Sequence, residues 1–371
     1  MLLRALQLHG FRNLVPTLLE PGAGFNVFVG DNGQGKTNLL EAIYLAGTLR
    51  SFRTNHTAEM IAHDGDEALV RARVERAGLE RLYELKLQPR RKETRLDGKV
   101  PQKLADYFGD FNVVLFAPED LRVPRGNPQG RRRFLDRSVF NREPSFLADA
   151  QRYARALKSR NALLRADRVD DALLDAYDAE LVRSGARILR SRRRYLNEFA
   201  QLFGEAFASI TQSGLAAELV YDASEGILAA GEDEAALAAQ LTTQLAASRP
   251  RDRARRLTSV GPHADDLEFL LAAQPAKAFA SQGQLRALVL AWKTAEMRLL
   301  RERQGDSPVL LLDDVSSELD ATRNKFLFDF LLQIECQCFV TTTHERHVVV
   351  ADNRQDFRVV NGQVLAPETT P

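Results

Sequence analysis

Residues 30–37 read Gly30-Asp31-Asn32-Gly33-Gln34-Gly35-Lys36-Thr37, a glycine-rich octapeptide of the pattern G-x-x-x-x-G-K-T. The apolar residues 25–29 before it predict a buried strand, and residues 38–46 after it predict an amphipathic helix that can end at Gly47. A strand, a glycine-rich loop and a helix in this order form a phosphate-binding P-loop. The chain is therefore expected to bind a nucleoside triphosphate.

Each residue type in the octapeptide has a physical role. The glycines let backbone N–H groups surround the phosphates, and the helix N-terminus adds the positive end of its dipole. Lys36 would reach the β- and γ-phosphates, and the Thr37 hydroxyl would bind Mg²⁺. All eight residues from Gly30 to Thr37 are therefore candidate nucleotide-binding residues.

The composition favours a globular protein of two or three domains. The chain has 371 residues, 44% of them hydrophobic, and a net charge of only +1, so its bulk charge does not indicate a nucleic-acid partner. Arg4 and His9 come too early for a signal sequence, and there is no run of 18 apolar residues. Cys336 and Cys338 are too few for a disulfide framework or a zinc site. We expect a reduced, cytoplasmic protein without a membrane segment.

A second motif follows a strand near the end of the chain. Residues 309–312 are apolar and lead into Asp313 and Asp314. A strand that ends beside a P-loop can place its first carboxylate near Mg²⁺, so Asp313 is a candidate metal ligand of Walker B type. Asp314 could orient or deprotonate the attacking water. Without the P-loop, the same pattern would be a buried strand with a polar exit turn.

A third motif, Ser281-Gln282-Gly283-Gln284, precedes a helix predicted for residues 285–300. A serine hydroxyl and a glycine N–H at a helix N-terminus can bind an anion, which makes all four residues candidate contacts to a second phosphate group. Taken alone, the pattern is also that of an ordinary N-cap.

The segment between the P-loop and this third motif has a different character. From residue 146 to residue 204 it is charged, rich in Ala, Leu and Arg, and nearly free of Gly and Pro, which predicts helices. The sequence therefore predicts an α/β nucleotide-binding domain, residues 1–115 and 255–371, with an inserted, mostly helical arm at residues 116–254.

In order along the chain, these motifs resemble the ATP-binding cassette (ABC) type of P-loop ATPase head. More narrowly, the chain resembles the RecF family of bacterial recombination mediators. The matching blocks are Gly10-Phe11-Arg12-Asn13, Arg50-Ser51-Phe52-Arg53-Thr54, Phe116-Ala117-Pro118-Glu119-Asp120-Leu121, Arg131-Arg132-Arg133-Phe134-Leu135-Asp136 and Gly261-Pro262-His263-Ala264-Asp265-Asp266.

The resemblance implies that ATP joins two copies of the chain. The signature residues Ser281 and Gly283 of one copy would close over a nucleotide held by Lys36 and Thr37 of the other. Asp320 would lie at the dimer seam, and His344 would sense the γ-phosphate or help polarise water.

The resemblance leaves two assignments open near the P-loop. Arg12 and Asn13 could contact base or ribose, although Arg12 could equally form an ordinary ion pair. Glu119 or Asp120 could replace the glutamine that cassette heads usually carry after the first sheet, the alternative being a turn that starts a helix.

Cassette enzymes usually have glutamate where this chain has Asp314. The shorter side chain predicts slow hydrolysis, suited to a switch.

Arginine clusters are the candidates for sequence-neutral contacts to duplex and gapped DNA, because guanidinium groups displace counterions from phosphates. They are Arg122, Arg125, Arg131, Arg132, Arg133 and Arg137; Arg183, Arg187, Arg190, Arg192, Arg193 and Arg194; and Arg251, Arg253, Arg255 and Arg256. The triplets Arg131–Arg133 and Arg192–Arg194 are the specific candidates, and the alternative is an ordinary solvated surface.

The resemblance also supplies the expected partners, RecR directly and RecO and RecA indirectly, in recombinational repair. The competing function is the ATPase subunit of a membrane transporter.

Overall fold

The structure is a computed structural model and describes residues 1–223 and 226–366. The chain forms two compact units: one combines residues 1–121 with the chain from residue 297 onward, and the other covers residues 122–296. The boundaries expected from the sequence were 115/116 and 254/255. Residues 255–296, which include the signature stretch, thus belong by their contacts to the second unit, and their assignment to the ATPase head stays a prediction.

The first unit contains a six-stranded sheet in the order β14-β13-β3-β12-β11-β7. Strands β3, β12, β11 and β7 are parallel neighbours and almost wholly buried, as expected for strands covered on both faces. Their carboxyl ends therefore meet at one edge. The strands are β3 (Phe25–Val29), β7 (Val113–Phe116), β11 (Val309–Asp313), β12 (Cys338–Thr342), β13 (Arg354–Val360) and β14 (Gln363–Leu365).

A second, antiparallel sheet in this unit has the order β2-β1-β4-β5-β6. Its strands are β1 (Leu2–His9), β2 (Thr17–Leu19), β4 (Ala68–Arg76), β5 (Leu79–Gln88) and β6 (Arg91–Leu96). Helix α1 (Lys36–Thr48) lies between the two sheets, and its residues from Leu39 to Thr48 are all buried. The unit also contains α8 (Val315–Glu318) and α9 (Ala321–Ile334).

Helix α1 differs from the amphipathic helix expected at residues 38–46. It is apolar or buried all round because a sheet covers each side. Gly47 does not end it: a Cβ there would lie 2.6 Å from Val113 Cγ2, so glycine allows close packing inside the helix. Leu49, in the left-handed conformation at φ 56°, caps the helix instead.

The second unit is mostly helical. Its helices are α2 (Pro128–Arg142), α3 (Phe146–Leu164), α4 (Asp171–Thr211), α5 (Glu234–Arg255) and α6 (Ala276–Phe279), and α7 (Gln282–Gln304) begins in it. A three-stranded sheet, which the sequence did not predict at residues 217–222, completes it with β8 (Ala217–Asp222), β9 (Asp266–Leu271) and β10 (Gln274–Pro275). Trp292 is the centre of an aromatic cluster with Phe134, Phe199 and Phe269.

None of the helices in the described ranges combines the length and the apolar character needed to cross a membrane.

Candidate nucleotide-binding site

The P-loop follows β3 and turns into α1, as the sequence predicts. Gly35 has a φ of 111°, a backbone conformation that residues with a side chain rarely adopt. A Cβ at this position would lie 2.8 Å from Leu14 Cδ2. Gln34 fixes the outer side of the loop, since its Oε1 accepts the N–H of Asn361 at 2.5 Å. The loop is therefore shaped by glycine geometry and by an anchor from the far end of the chain.

Lys36 lies inside this loop with only 7% of its surface exposed. Its Nζ donates to the carbonyl oxygens of Gly30 at 2.6 Å and Asp31 at 2.8 Å. Burial lowers the pKa of Lys36, while the carboxylates of Asp314, Asp313 and Asp31 act in the opposite direction. A partly desolvated cation held by carbonyl groups can transfer its hydrogen bonds to phosphate oxygens.

Thr37 meets the predicted Walker B aspartate directly. The Thr37 Oγ1 donates to Asp313 Oδ1 at 2.8 Å, and Thr341 Oγ1 at the end of β12 donates to the same oxygen at 2.8 Å. Burial raises the pKa of Asp313, and the negative charges of Glu119 and Asp314 raise it further. The excess of negative charge around the Thr37 hydroxyl and the buried Asp313 carboxylate suits the binding of a divalent cation. Mg²⁺ needs few protein ligands when phosphate groups supply the others.

Asp314 follows Asp313 in the left-handed conformation, at φ 49°. Its backbone N–H donates to two oxygen atoms of Thr341, the carbonyl oxygen at 3.1 Å and Oγ1 at 3.0 Å. This turn places Asp314 in the lining of the cavity beside the P-loop.

Glu119 and Asp120 have different surroundings after β7. Asp120 is buried, and its Oδ2 accepts the N–H of Ala117 at 3.2 Å, which is the turn-forming role. Glu119 is exposed and close enough to Asp313 to raise its pKa. Of the two, Glu119 is therefore the better candidate for the position of the cassette glutamine.

His344 and Asp320 occupy exposed positions. His344 follows β12, and its backbone N–H donates to Thr342 Oγ1 at 3.2 Å. Asp320 caps α9 by accepting the N–H of Arg323 at 3.0 Å and also pairs with the Arg323 guanidinium. The role of His344 at the γ-phosphate and the role of Asp320 at the dimer seam remain predictions. The structure shows Asp320 as the N-cap of α9.

Arg12 is engaged by a residue that the sequence did not single out. Glu41, on α1, is fully buried, and its carboxylate accepts hydrogen bonds from Arg12 Nε at 2.9 Å and from Arg12 Nη2 at 2.7 Å. Ser51 Oγ donates to the same carboxylate at 2.5 Å, and Arg53 Nη1 lies 3.6 Å from it. The available signal was a lone acidic residue within the apolar stretch of residues 39–46.

Asn13 continues this network to the P-loop. Its Nδ2 donates to the Gly33 carbonyl at 3.1 Å, and its Oδ1 accepts from Asn38 Nδ2 at 2.6 Å. Arg53 donates in turn to Asn38 Oδ1 at 2.5 Å. The blocks at residues 10–13 and 50–54 thus converge on the first turns of α1, beside Lys36 and Thr37.

Glu41→Ala is expected to lower the free energy of unfolding by about 3–5 kcal/mol, because it leaves the Arg12 guanidinium, 16% exposed, without its counter-charge. Urea denaturation followed by circular dichroism measures the change. Glu80→Ala, at an exposed position of β5, is the control and should change stability by less than about 0.5 kcal/mol. A loss below about 1 kcal/mol for Glu41→Ala would contradict a central role for this carboxylate.

A cavity of 1120 Å³ opens next to these groups. Among its lining residues are Arg12, Asn13, Asn32, Lys36, Thr37, Arg53, His63 and Asp314. A cavity of this volume, with a mixed polar and apolar lining, is large enough for a nucleotide. The structure therefore brings the predicted P-loop, Asp314, Arg12 and Asn13 to one cavity.

The signature stretch lies in the second unit, at the start of α7. Ser281 Oγ accepts the N–H of Gln284 at 3.2 Å, and Gln284 Oε1 accepts the N–H of Ser281 at 2.7 Å, which is a reciprocal capping box. Ser281 and Gln282 are exposed, and Gly283 is half-buried. Arg125 supports the preceding turn, since its NH2 donates to the Ala280 carbonyl at 2.6 Å.

Two arginines proposed as DNA contacts are internal. Arg131, 4% exposed, forms a bidentate pair with Asp266, and Arg192, 4% exposed, forms one with Asp136. The Arg131 pair joins α2 to the start of β9, and the Arg192 pair joins α4 to α2, so these two residues are not proposed as DNA contacts.

The other members of the two triplets are more accessible. Arg132 donates to the Asp265 carbonyl and Arg193 to the Ile227 carbonyl, while Arg133 and Arg194 are exposed. Arg194 lies 3.5 Å from a carboxylate oxygen of Glu198.

A P-loop threonine that donates a hydrogen bond to an aspartate at the end of a nearby parallel strand is typical of P-loop ATPase heads, the class of protein that binds nucleoside triphosphates. The family model described as the RecF/RecN/SMC N terminal domain matches residues 2–365. The chain belongs to the RecF family of DNA replication and repair proteins.

Relatives and solved structures agree with this membership. The DNA replication and repair protein RecF of Myxococcus xanthus is 46% identical over 369 residues, covering 98% of this chain and 97% of that protein. RecF of Anaeromyxobacter sp. strain Fw109-5 is 43% identical, with 99% of each chain covered. A structure of the recombination mediator protein RecF-ATPrS in the RecFOR pathway has a TM-score of 0.90 and 31% identity, covering 99% of this chain and 98% of that one.

An Smc head bound to the C-winged helix domain of ScpA shares the fold alone, with a TM-score of 0.56 and 16% identity over 99% of this chain and 97% of that one.

Proposed function

We propose that this chain is an ATP-dependent DNA-binding switch that dimerises on ATP and hydrolyses it slowly. The observation that carries the proposal is the hydrogen bond between Thr37 and Asp313, which joins the two phosphate and metal motifs in one site. The similar RecF structures, described as RecF-ATP and RecF-ATPrS, support ATP as the nucleotide.

Within this site, Lys36 would exchange its carbonyl partners for phosphate oxygens, and the Gly33 and Gly35 backbone would surround the phosphates. Thr37 and Asp313 would hold Mg²⁺, which neutralises charge on the phosphates when bound. Asp314 would orient the attacking water and accept its proton. His344 would stabilise charge at the γ-phosphate. Glu119 would be a further polar group near Asp313, on the side of the site where the metal would bind.

The signature motif supports a composite site in a dimer. The exposed Ser281 and the half-buried Gly283 lie at a helix N-terminus, which can bind the γ-phosphate of a nucleotide held by another copy. Arg12 and Asn13 would contact the base or ribose in the same copy as Lys36, and Asp320 would lie at the seam. Release of the γ-phosphate removes the charge that bridges the copies.

Duplex or gapped DNA is the proposed macromolecular partner. RecR is the proposed direct protein partner, and RecO and RecA are indirect partners because the chain would support the loading of RecA. Support comes from the RecFOR pathway to which the similar solved structures are assigned. The matches over nearly the full chain give no support to a transporter subunit, and that alternative is set aside.

A mixing experiment tests the composite site. Ser281→Arg keeps an intact P-loop and Lys36→Ala keeps an intact signature, so each should be inactive alone. Together they form heterodimers with one complete site, and ATP hydrolysis should return to a measurable fraction of the wild-type rate. Mixing Ser281→Arg with Ser281→Ala/Lys36→Ala, which supplies neither motif, is the control. Two inactive variants that stay inactive together would contradict a site shared between copies.

A further inference from the structure

We infer that the exposed arginines at one end of helices α3 and α5 form the surface that binds the phosphate backbone of duplex DNA. This inference rests on the proposed DNA-binding function and assigns a place to it. We call it the α5-end surface, defined by Arg165, Arg168, Arg251, Arg253, Arg255 and Arg256.

Buried polar contacts hold this end of the second unit together. Arg160, fully buried on α3, donates to Asp178 of α4 at 2.5 Å and to Asp252 of α5 at 2.8 Å. Asn161 Oδ1 accepts both the N–H and the hydroxyl of Thr258, at 2.8 and 2.7 Å. The end of α3, the start of α4 and the end of α5 are therefore fixed relative to one another, and the arginines project from a rigid base.

The charges of this surface are only partly compensated. Arg253 pairs with Asp171, and Arg251 donates to Ser259 Oγ at 2.8 Å. Arg165, Arg168, Arg255 and Arg256 are exposed and form no ion pair within the described ranges 1–223 and 226–366. Asp167, Asp170 and Asp175 are the neighbouring exposed acids, of which Asp170 caps α4 and Asp175 pairs with Arg249. Cationic groups thus remain in excess.

The other two clusters offer fewer available guanidinium groups. Arg131 and Arg192 are buried in pairs. Arg187 and Arg190 both pair with Glu234, at 3.1 and 2.5 Å. Ion-paired arginines gain less from a phosphate because an existing partner must be displaced.

The composition of the α5-end surface favours duplex backbone over other partners. Residues 165–171 and 249–257 contain no Phe, Tyr or Trp. Single-strand binding relies on aromatic stacking platforms, and protein interfaces are enriched in aromatic side chains. A basic surface without aromatic groups is suited to sequence-neutral contacts with phosphates, which are about 1.7 Å apart along the duplex axis.

Charge reversal tests the assignment in the full-length chain. Arg255→Glu/Arg256→Glu is compared with Arg183→Glu/Arg194→Glu, which changes the net charge equally at exposed positions of α4 and tests the second cluster. Affinity for a 30-base-pair duplex, with ATP present, is measured by fluorescence anisotropy over a salt series. We expect the first variant to bind at least about 10-fold more weakly, with a salt slope smaller by about two, and the second to stay within about twofold of wild type.

Three outcomes overturn the inference. One is an unchanged DNA affinity for Arg255→Glu/Arg256→Glu, which would show that this surface does not bind the duplex. Another is an equal loss in both variants. If the wild-type chain binds no duplex at all, the proposed DNA-binding function fails together with this surface. Arg255→Gln/Arg256→Gln, with thermal unfolding and ATP affinity measured alongside, shows that any loss follows charge and not misfolding; it should show a smaller loss in the same direction.

Discussion

Replacing Lys36 by alanine is expected to lower the affinity for ATP by at least about 100-fold, which is about 2.7 kcal/mol. Lys36 is buried, and its ammonium group lies between the carbonyl oxygens of Gly30 and Asp31. Hydrogen bonds from a charged donor contribute about 1.5–3 kcal/mol each, and alanine removes at least two of them to the phosphates. Isothermal titration calorimetry with ATP and Mg²⁺ measures the loss.

Lys325→Ala is the matched control for this change, because Lys325 is exposed on α9 and its ion pair with Asp329 is at the surface. Its ATP affinity should equal that of the wild type. Thermal unfolding without nucleotide checks that Lys36→Ala folds. An affinity within about threefold of wild type for Lys36→Ala would show that the octapeptide is not the phosphate site.

Asp314→Asn is expected to slow ATP hydrolysis by at least about 100-fold while ATP still binds. Asparagine has the same shape, tolerates the left-handed φ of 49° and keeps the backbone N–H bonds to Thr341. It cannot accept a proton from water, so only the chemical step should suffer. Phosphate release measured at saturating ATP, beside ATP affinity, separates the two effects.

Asp329→Asn, an exposed carboxylate on α9, is the control and should hydrolyse ATP at the wild-type rate. If Asp314→Asn retains more than about half of the wild-type rate, Asp314 is not the proton acceptor, and the exposed His344 becomes the better candidate. A parallel loss of ATP affinity would instead indicate that Asp314 acts through binding.

Local signals were sufficient for the elements that carry the phosphate and metal motifs. The strand at residues 25–29 has the bounds that the sequence predicts, because a short apolar run that leads into a turn is typical of a buried parallel strand. Asp313 and Thr37 meet because Asp313 ends β11 and Thr37 follows the loop after β3, and the carboxyl ends of these parallel strands lie at one sheet edge.

Contacts between distant parts of the chain were not predictable in this way. Helix α1 is buried all round because β4 and β5 cover the side opposite the parallel sheet, and no window around residues 38–46 contains that information. From the local sequence, Arg131 is a candidate DNA contact, because its ion-pair partner Asp266 lies 135 residues further along the chain and is not part of the local pattern. The role of Glu41 is not predictable for the same reason, since its partners come from the separate blocks at residues 10–13 and 50–54.

Sedimentation of the Asp314→Asn chain with and without ATP tests the central claim, that ATP closes a dimer, most directly. Without nucleotide the chain should sediment at its own mass of 41.5 kDa, and with ATP and Mg²⁺ at twice that mass. Ser281→Arg in the same background should bind ATP and stay at the lower mass. An Asp314→Asn chain that is saturated with ATP and unchanged in mass would contradict the account.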